Sequence, residues 1–84
     1  MTAGPIQISD ARDGWSFAPY GPTGPQLVRD YDDGLTGYIR ATTPVTVAWT
    51  IINADRILRQ ASAVDVATAR AAADTWVARR GEAQ

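Results

Sequence analysis

Val45-Thr46-Val47-Ala48-Trp49-Thr50-Ile51-Ile52 is the stretch on which the fold turns. Apolar and polar side chains alternate through it, placing Val45, Val47, Trp49 and Ile51 on one face and Thr46, Ala48 and Thr50 on the other. Six of the eight residues are β-branched, so the segment reads as a strand with one buried face. Thr43-Pro44 precedes it and Asn53-Ala54-Asp55 follows, both of turn-forming composition.

Strands adjoin it on both sides. Upstream, Leu27-Val28-Arg29-Asp30-Tyr31 and Leu35 to Thr42 flank Asp32-Asp33-Gly34, where Asp33-Gly34 suits a hairpin because Gly tolerates positive φ. Downstream, a weaker strand is expected at about Arg56 to Ala61. Its inward face is ambiguous, because Ile57 shares a side with Arg59, and it is assigned to an edge.

The chain then changes period. Ser62-Ala63-Val64-Asp65 resembles a capping box, and Val66, Ala69, Ala73, Trp76 and Val77 recur on one helical face. The predicted helix runs to about Arg80, with Arg79 and Arg80 complementing its negative end and Gly81 as a left-handed stop. The expected fold class is α+β: a small antiparallel three- to four-stranded β-meander packed against one C-terminal amphipathic helix. An irregular Pro/Gly-rich N-terminal arm occupies residues 1–25, the meander and helix residues 26–81, and a tail residues 82–84.

Within the arm, Gly4-Pro5, Gly14, Pro19, Gly21-Pro22 and Gly24-Pro25 interrupt helical and strand hydrogen bonding alike. Ile6-Gln7-Ile8 and Trp15-Ser16-Phe17 still alternate, which allows two short extended pieces. Trp15, Phe17 and Tyr20 imply that the arm docks, since burying a Phe-sized side chain contributes about 1.5–3 kcal/mol. The surface they dock on is either this chain's own core or a partner.

At 84 residues the chain is one domain, with an expected stability of about 4–13 kcal/mol. There is no Cys, so neither a disulfide framework nor a thiolate site can form. No basic segment followed by an apolar one opens the sequence, and Val45 to Ile52 is too short to span a bilayer. A cytoplasmic location is the expectation. The formal net charge is −1, all eight basic residues are Arg, and eight of the nine acids are Asp. Such a mixed surface lacks the electrostatic term that drives most nucleic-acid and membrane binding.

Motifs for chemistry are sparse. Asp30-Tyr31-Asp32-Asp33-Gly34 opens like a calcium loop, but its Gly comes one place early and the twelfth position is Ala41 rather than Glu. It reads as a polar turn, and no metal or cofactor is assigned. With no His, Cys or Lys, the candidate bases and nucleophiles reduce to Asp, the lone Glu82, hydroxyls and three Tyr. Catalysis is therefore not expected. Prolines in Gly21-Pro22-Thr23-Gly24-Pro25 stand where a phosphate loop needs N–H donors.

The second face of the sheet holds the remaining candidates, because Thr36, Tyr38, Arg40, Thr46 and Thr50 share it if the strands pair as drawn. Trp15, Phe17, Tyr20, Tyr38 and Arg40 are the candidate partner-binding residues. Arg40, Arg56 and Arg59 are the alternative set for a nucleic acid read by a sheet. The plainer reading of the face is a solvated surface or one covered by the arm. Trp49 and Trp76 are assigned to the core.

Leu35 to Val77 resembles small β-meander-plus-helix proteins of actinobacteria and their phages. The similarity lies in Gly37-Tyr38-Ile39-Arg40-Ala41, in Trp49-Thr50-Ile51-Ile52, and in the small-residue lead from Ala61-Ser62 into the alanine-rich helix through Ala69 and Ala72-Ala73-Asp74. Ala61 departs from the pattern, where Gly would be expected. The resemblance implies no activity and no site residues. It implies a non-enzymatic interaction protein that binds a host or phage protein in the host-cell cytoplasm, or a virion structural component using the arm for assembly; a nucleic-acid-binding regulator using Arg40, Arg56 and Arg59 is the further alternative that the sheet residues themselves leave open. A protein partner is expected, a homo-oligomer is a further option, and no membrane partner is expected.

Overall fold

A computed structural model describes residues 6–22 and 24–82 of the chain; expectations that fall on residues 1–5, Thr23 and residues 83–84 lie outside the described residues. The quoted stretch forms the heart of a single antiparallel sheet of five strands in sequential order. These are β1 (Ser16–Ala18), β2 (Gln26–Asp30), β3 (Leu35–Ala41), β4 (Val47–Asn53) and β5 (Arg56–Ala63), followed by helix α1 (Val66–Glu82). The α+β class holds. The strand count is five rather than three or four, and the N-terminal arm is not merely irregular. It supplies β1, with Phe17 paired to Leu27, and a 3-10 turn at Ile8–Asp10.

The apolar face of β4 is buried as its alternation requires: Val47, Trp49 and Ile51 form one core with Leu27, Leu35, Ile39, Val66, Ala69 and Ala73. Register explains the grouping, since Phe17, Leu27, Ile39, Trp49 and Ala61 form one row across all five strands. Val45 falls outside the strand and is exposed, because Thr43 Oγ1 accepts the N–H groups of Val45 and Thr46 in a tight turn. The ambiguous face of β5 is resolved by a bulge: Ile51 pairs with Arg59 but Ile52 pairs with Ile57, which leaves Leu58 as the extra residue. Leu58 packs on the core, whereas Ile57 is turned to the opposite side at 63% exposure.

The arm docks on this chain's own core. Ile6 is buried there, and Trp15, 3% exposed, stands edge-on to Tyr31 with ring centroids 6.1 Å apart. Gly37 makes room for it: a Cβ at that position would lie 2.9 Å from Trp15 Cη2 and 3.0 Å from Tyr31 Cε2. Polar contacts complete the attachment. Arg29 Nη1 donates to the Asp13 carbonyl at 2.7 Å, and Arg70 Nη1, from the helix, donates to the Asp10 carbonyl at 2.9 Å.

Helix α1 covers the same face, and its inward stripe is the one read from the sequence, with Trp76 and Val77 partly buried beside the core. Its start differs from the expectation. Ser62 belongs to β5, opposite Ala48, and the N-terminal cap is Asp65, whose Oδ1 accepts the Thr68 N–H at 2.8 Å. That bond holds the Asp65 carboxyl below the usual range. The helix also continues through Gly81 to Glu82 instead of stopping there. Asp74 anchors its middle, accepting from the Tyr31 hydroxyl at 2.6 Å and from Arg29 at 3.2 Å. Burial, and then the Asp74 carboxylate, push the Tyr31 phenol well above its ordinary range. Among the described residues no helix is long and apolar enough to cross a membrane.

Candidate partner-binding face

Helix α1 and the arm residues Ile6, Trp15 and Phe17 pack on one side, and among the described residues no helix or strand covers the other side of the sheet. Its rows follow from the register: Ser16, Val28, Tyr38, Thr50 and Gln60; then Ala18, Gln26, Arg40, Ala48 and Ser62; then Asp30, Thr36, Ile52 and Ile57. Tyr38 stands in the middle strand of five. Arg40, two residues on, stacks its guanidinium 4.4 Å from the Tyr38 ring centroid. Arg40 Nε donates to Gln26 Oε1 at 2.7 Å, directly across the β2–β3 pair.

That pin is itself held. Gln26 is only 8% exposed, enclosed by the turn at Gly21, where a Cβ would collide with the Gln26 amide. Thr50, 6% exposed, accepts from Gln60 Nε2 at 3.1 Å. The face is therefore an ordered Tyr–Arg centre in a polar frame, with an apolar margin at Ile52 and Ile57. Its cation is unneutralised: the ion pairs among the described residues, Arg29 with Asp74 and Arg70 with Asp10, both belong to the helix side.

The structure brings Tyr38 and Arg40 together and separates the other candidates from them. Trp15 is in the core on the far side of the sheet, and Phe17 packs against that core from β1. Tyr20, 91% exposed, lies beyond the end of β1. Arg40, Arg56 and Arg59 are not gathered: Arg56 and Arg59 pair with Asn53 and Ile51, in the register of the helix side, while Arg40 is on the open side. Gln26 and Gln60 were missed by sequence reasoning. Gln26 precedes the first obvious apolar residue of its strand, and only the β2–β3 register places it opposite Arg40.

No protein family, curated protein or solved structure matches the chain.

Proposed function

We propose that this protein is a non-enzymatic interaction module that docks another protein on the open face of its sheet, with Tyr38 and Arg40 at the centre of the contact. The observation that supports this reading is the state of Arg40: stacked on Tyr38, pinned by Gln26, and without a carboxylate partner among the described residues. Tyr and Arg are the residue types that dominate interface energetics. Here their rotamers are ordered before any partner arrives, which lowers the entropy lost on binding.

The complementary surface supplies a carboxylate or a pair of carbonyls for the guanidinium, and a flat or apolar group against the Tyr38 ring, Ile52 and Ile57. In the phage-like setting that the sequence resemblance implies, that surface belongs to a host or phage protein. The test is affinity isolation with the wild-type chain, followed by calorimetry on the isolated partner with Tyr38→Ala and Arg40→Ala. Each variant should lose at least about tenfold in affinity, a loss typical of residues at the centre of an interface. Circular dichroism should show the fold retained. Undiminished affinity in both variants would reject the open face as the docking surface.

A further inference from the structure

A second surface lies on the helix side, between α1 and the last two strands. An open groove of about 740 Å³ is lined by Trp49 and Arg59 from the sheet and by Ala67, Ala71, Trp76 and Arg79 among the helix residues. Its helical wall extends from Ala67 to Arg79, about 18 Å at 1.5 Å per residue. Tryptophan and small side chains make the lining apolar, and the two arginines are its charged groups, with no acidic residue in the lining. Neither arginine belongs to an ion pair among the described residues.

The groove borders a free sheet edge. Among the described residues β5 pairs with β4 alone, so its other side presents unpaired backbone N–H and C=O groups. Past the bulge at Leu58, the stretch from Arg59 to Ala63 is regular. About 18 Å corresponds to five or six residues of extended chain, so groove and regular edge match in length. Ala61 pairs with Trp49 and is the edge residue of that row, leaving a small side chain between the indole and the free edge.

We propose that β5 accepts an extended peptide segment of a partner as a sixth strand, whose alternate side chains fill the groove over Trp49 and Trp76 and whose carboxylates meet Arg59 and Arg79. Backbone bonds along the edge supply affinity, and the groove supplies selection, as in strand addition generally. Charge decides the occupant. A second copy docked edge to edge would bring its own Arg56 and Arg59 to a seam whose groove contains no acid, whereas an acidic segment neutralises both arginines. The site is independent of the Tyr38–Arg40 face.

The probes are capped nonapeptides of alternating pattern, with Val, Ile or Phe at three groove-side positions, Thr at the intervening ones, and either Asp or Lys at both ends. Binding is followed by tryptophan fluorescence, and by NMR through exchange of the amides from Arg59 to Ala63. Asp-ended peptides should bind and protect the outward-facing amides of that stretch, the others being held already by β4. N-Methylation of the edge-facing peptide nitrogens should weaken them by at least about tenfold, through loss of two or three hydrogen bonds, while methylation of the outward nitrogens leaves binding intact. The Arg59→Glu, Arg79→Glu pair should lose about five- to tenfold and prefer the Lys-ended peptides.

Any of the following would overturn the proposal: no Asp-ended peptide binding below about 1 mM, or about 4 kcal/mol; equal binding of both end charges; indifference to N-methylation; or perturbation confined to Tyr38 and Arg40. Protection of the edge amides by self-association without peptide would also overturn it, since the occupant would then be a second copy.

Discussion

Replacing Gly37 by Ala should be harmful only while Trp15 is in place. The added Cβ would sit 2.9 Å from Trp15 Cη2, 3.0 Å from Tyr31 Cε2 and 3.3 Å from Ile51 Cδ1, all of them buried or half-buried ring or methyl atoms with little freedom to retreat. Overpacking of this kind costs about 1–3 kcal/mol. Gly37 is not among the glycines with positive φ, so Ala also restricts the unfolded chain, a gain of about 0.4–1 kcal/mol. The net expectation for Gly37→Ala is a loss of about 0.5–2 kcal/mol. Trp15→Leu removes the ring edge that makes the closest contact, and alone it should lose about 2–3 kcal/mol, less than full truncation of a buried Trp. In the Trp15→Leu background Gly37→Ala should become nearly neutral. Urea unfolding of the four proteins then gives a coupling of about 1 kcal/mol. Strict additivity would refute the docking of the arm against Gly37.

Three further outcomes follow from the helix and the turns. The Tyr31 phenol is raised by burial and by Asp74, so the folded state retains its proton where the unfolded state releases it. Its contribution is complete below the ordinary Tyr value of about 10 and falls as pH rises past it, a loss measurable by alkaline denaturation. Tyr31→Phe should flatten that alkaline limb and cost about 1–2 kcal/mol at neutral pH, the low end for a bond to a charged acceptor because Asp74 is partly exposed. The depressed Asp65 carboxyl has the opposite sign: its stabilisation is present above the ordinary Asp range and disappears as pH falls through the lowered value. Asp65→Asn should keep the cap and lose this acid dependence, whereas Asp65→Ala should lower the melting temperature at neutral pH. Ala54, at φ +54° in the β4–β5 turn, holds a conformation that suits glycine, so Ala54→Gly should raise stability by up to about 1 kcal/mol in thermal melts.

The central strand, the inward stripe of α1 and the sharing of one face by Thr36, Tyr38, Arg40 and Thr50 were legible because each depends on a period within one segment. What was not legible depends on contacts between segments. The destination of Trp15 is decided by the bare backbone of Gly37, twenty-two residues away. The alternation of Trp15-Ser16-Phe17 showed an extended piece, but not that it joins the sheet as β1, which depends on the edge that Leu27 and Val28 offer to Phe17 and Ser16. The displaced helix start is a local competition: Ser62 and Asp65 are both good caps, and pairing of Ala63 with Val47 extends β5 far enough that Asp65 takes the position. The conflicting sides of Ile57 and Arg59 are reconciled by one bulged residue, which no alternation rule contains. The Tyr38–Arg40 pair was visible as a candidate, but its ordering by a buried Gln26 was not.

The central claim is that the open sheet face receives a protein partner. It is tested most directly by placing the photo-crosslinking amino acid p-benzoylphenylalanine at position 38, and at the exposed Val45 as a control, in cells that make the protein. Irradiation should join the chain through position 38 to one partner of discrete mass, and Arg40→Glu should abolish that adduct. The absence of any adduct from position 38, or the same adducts from position 45, would contradict the account.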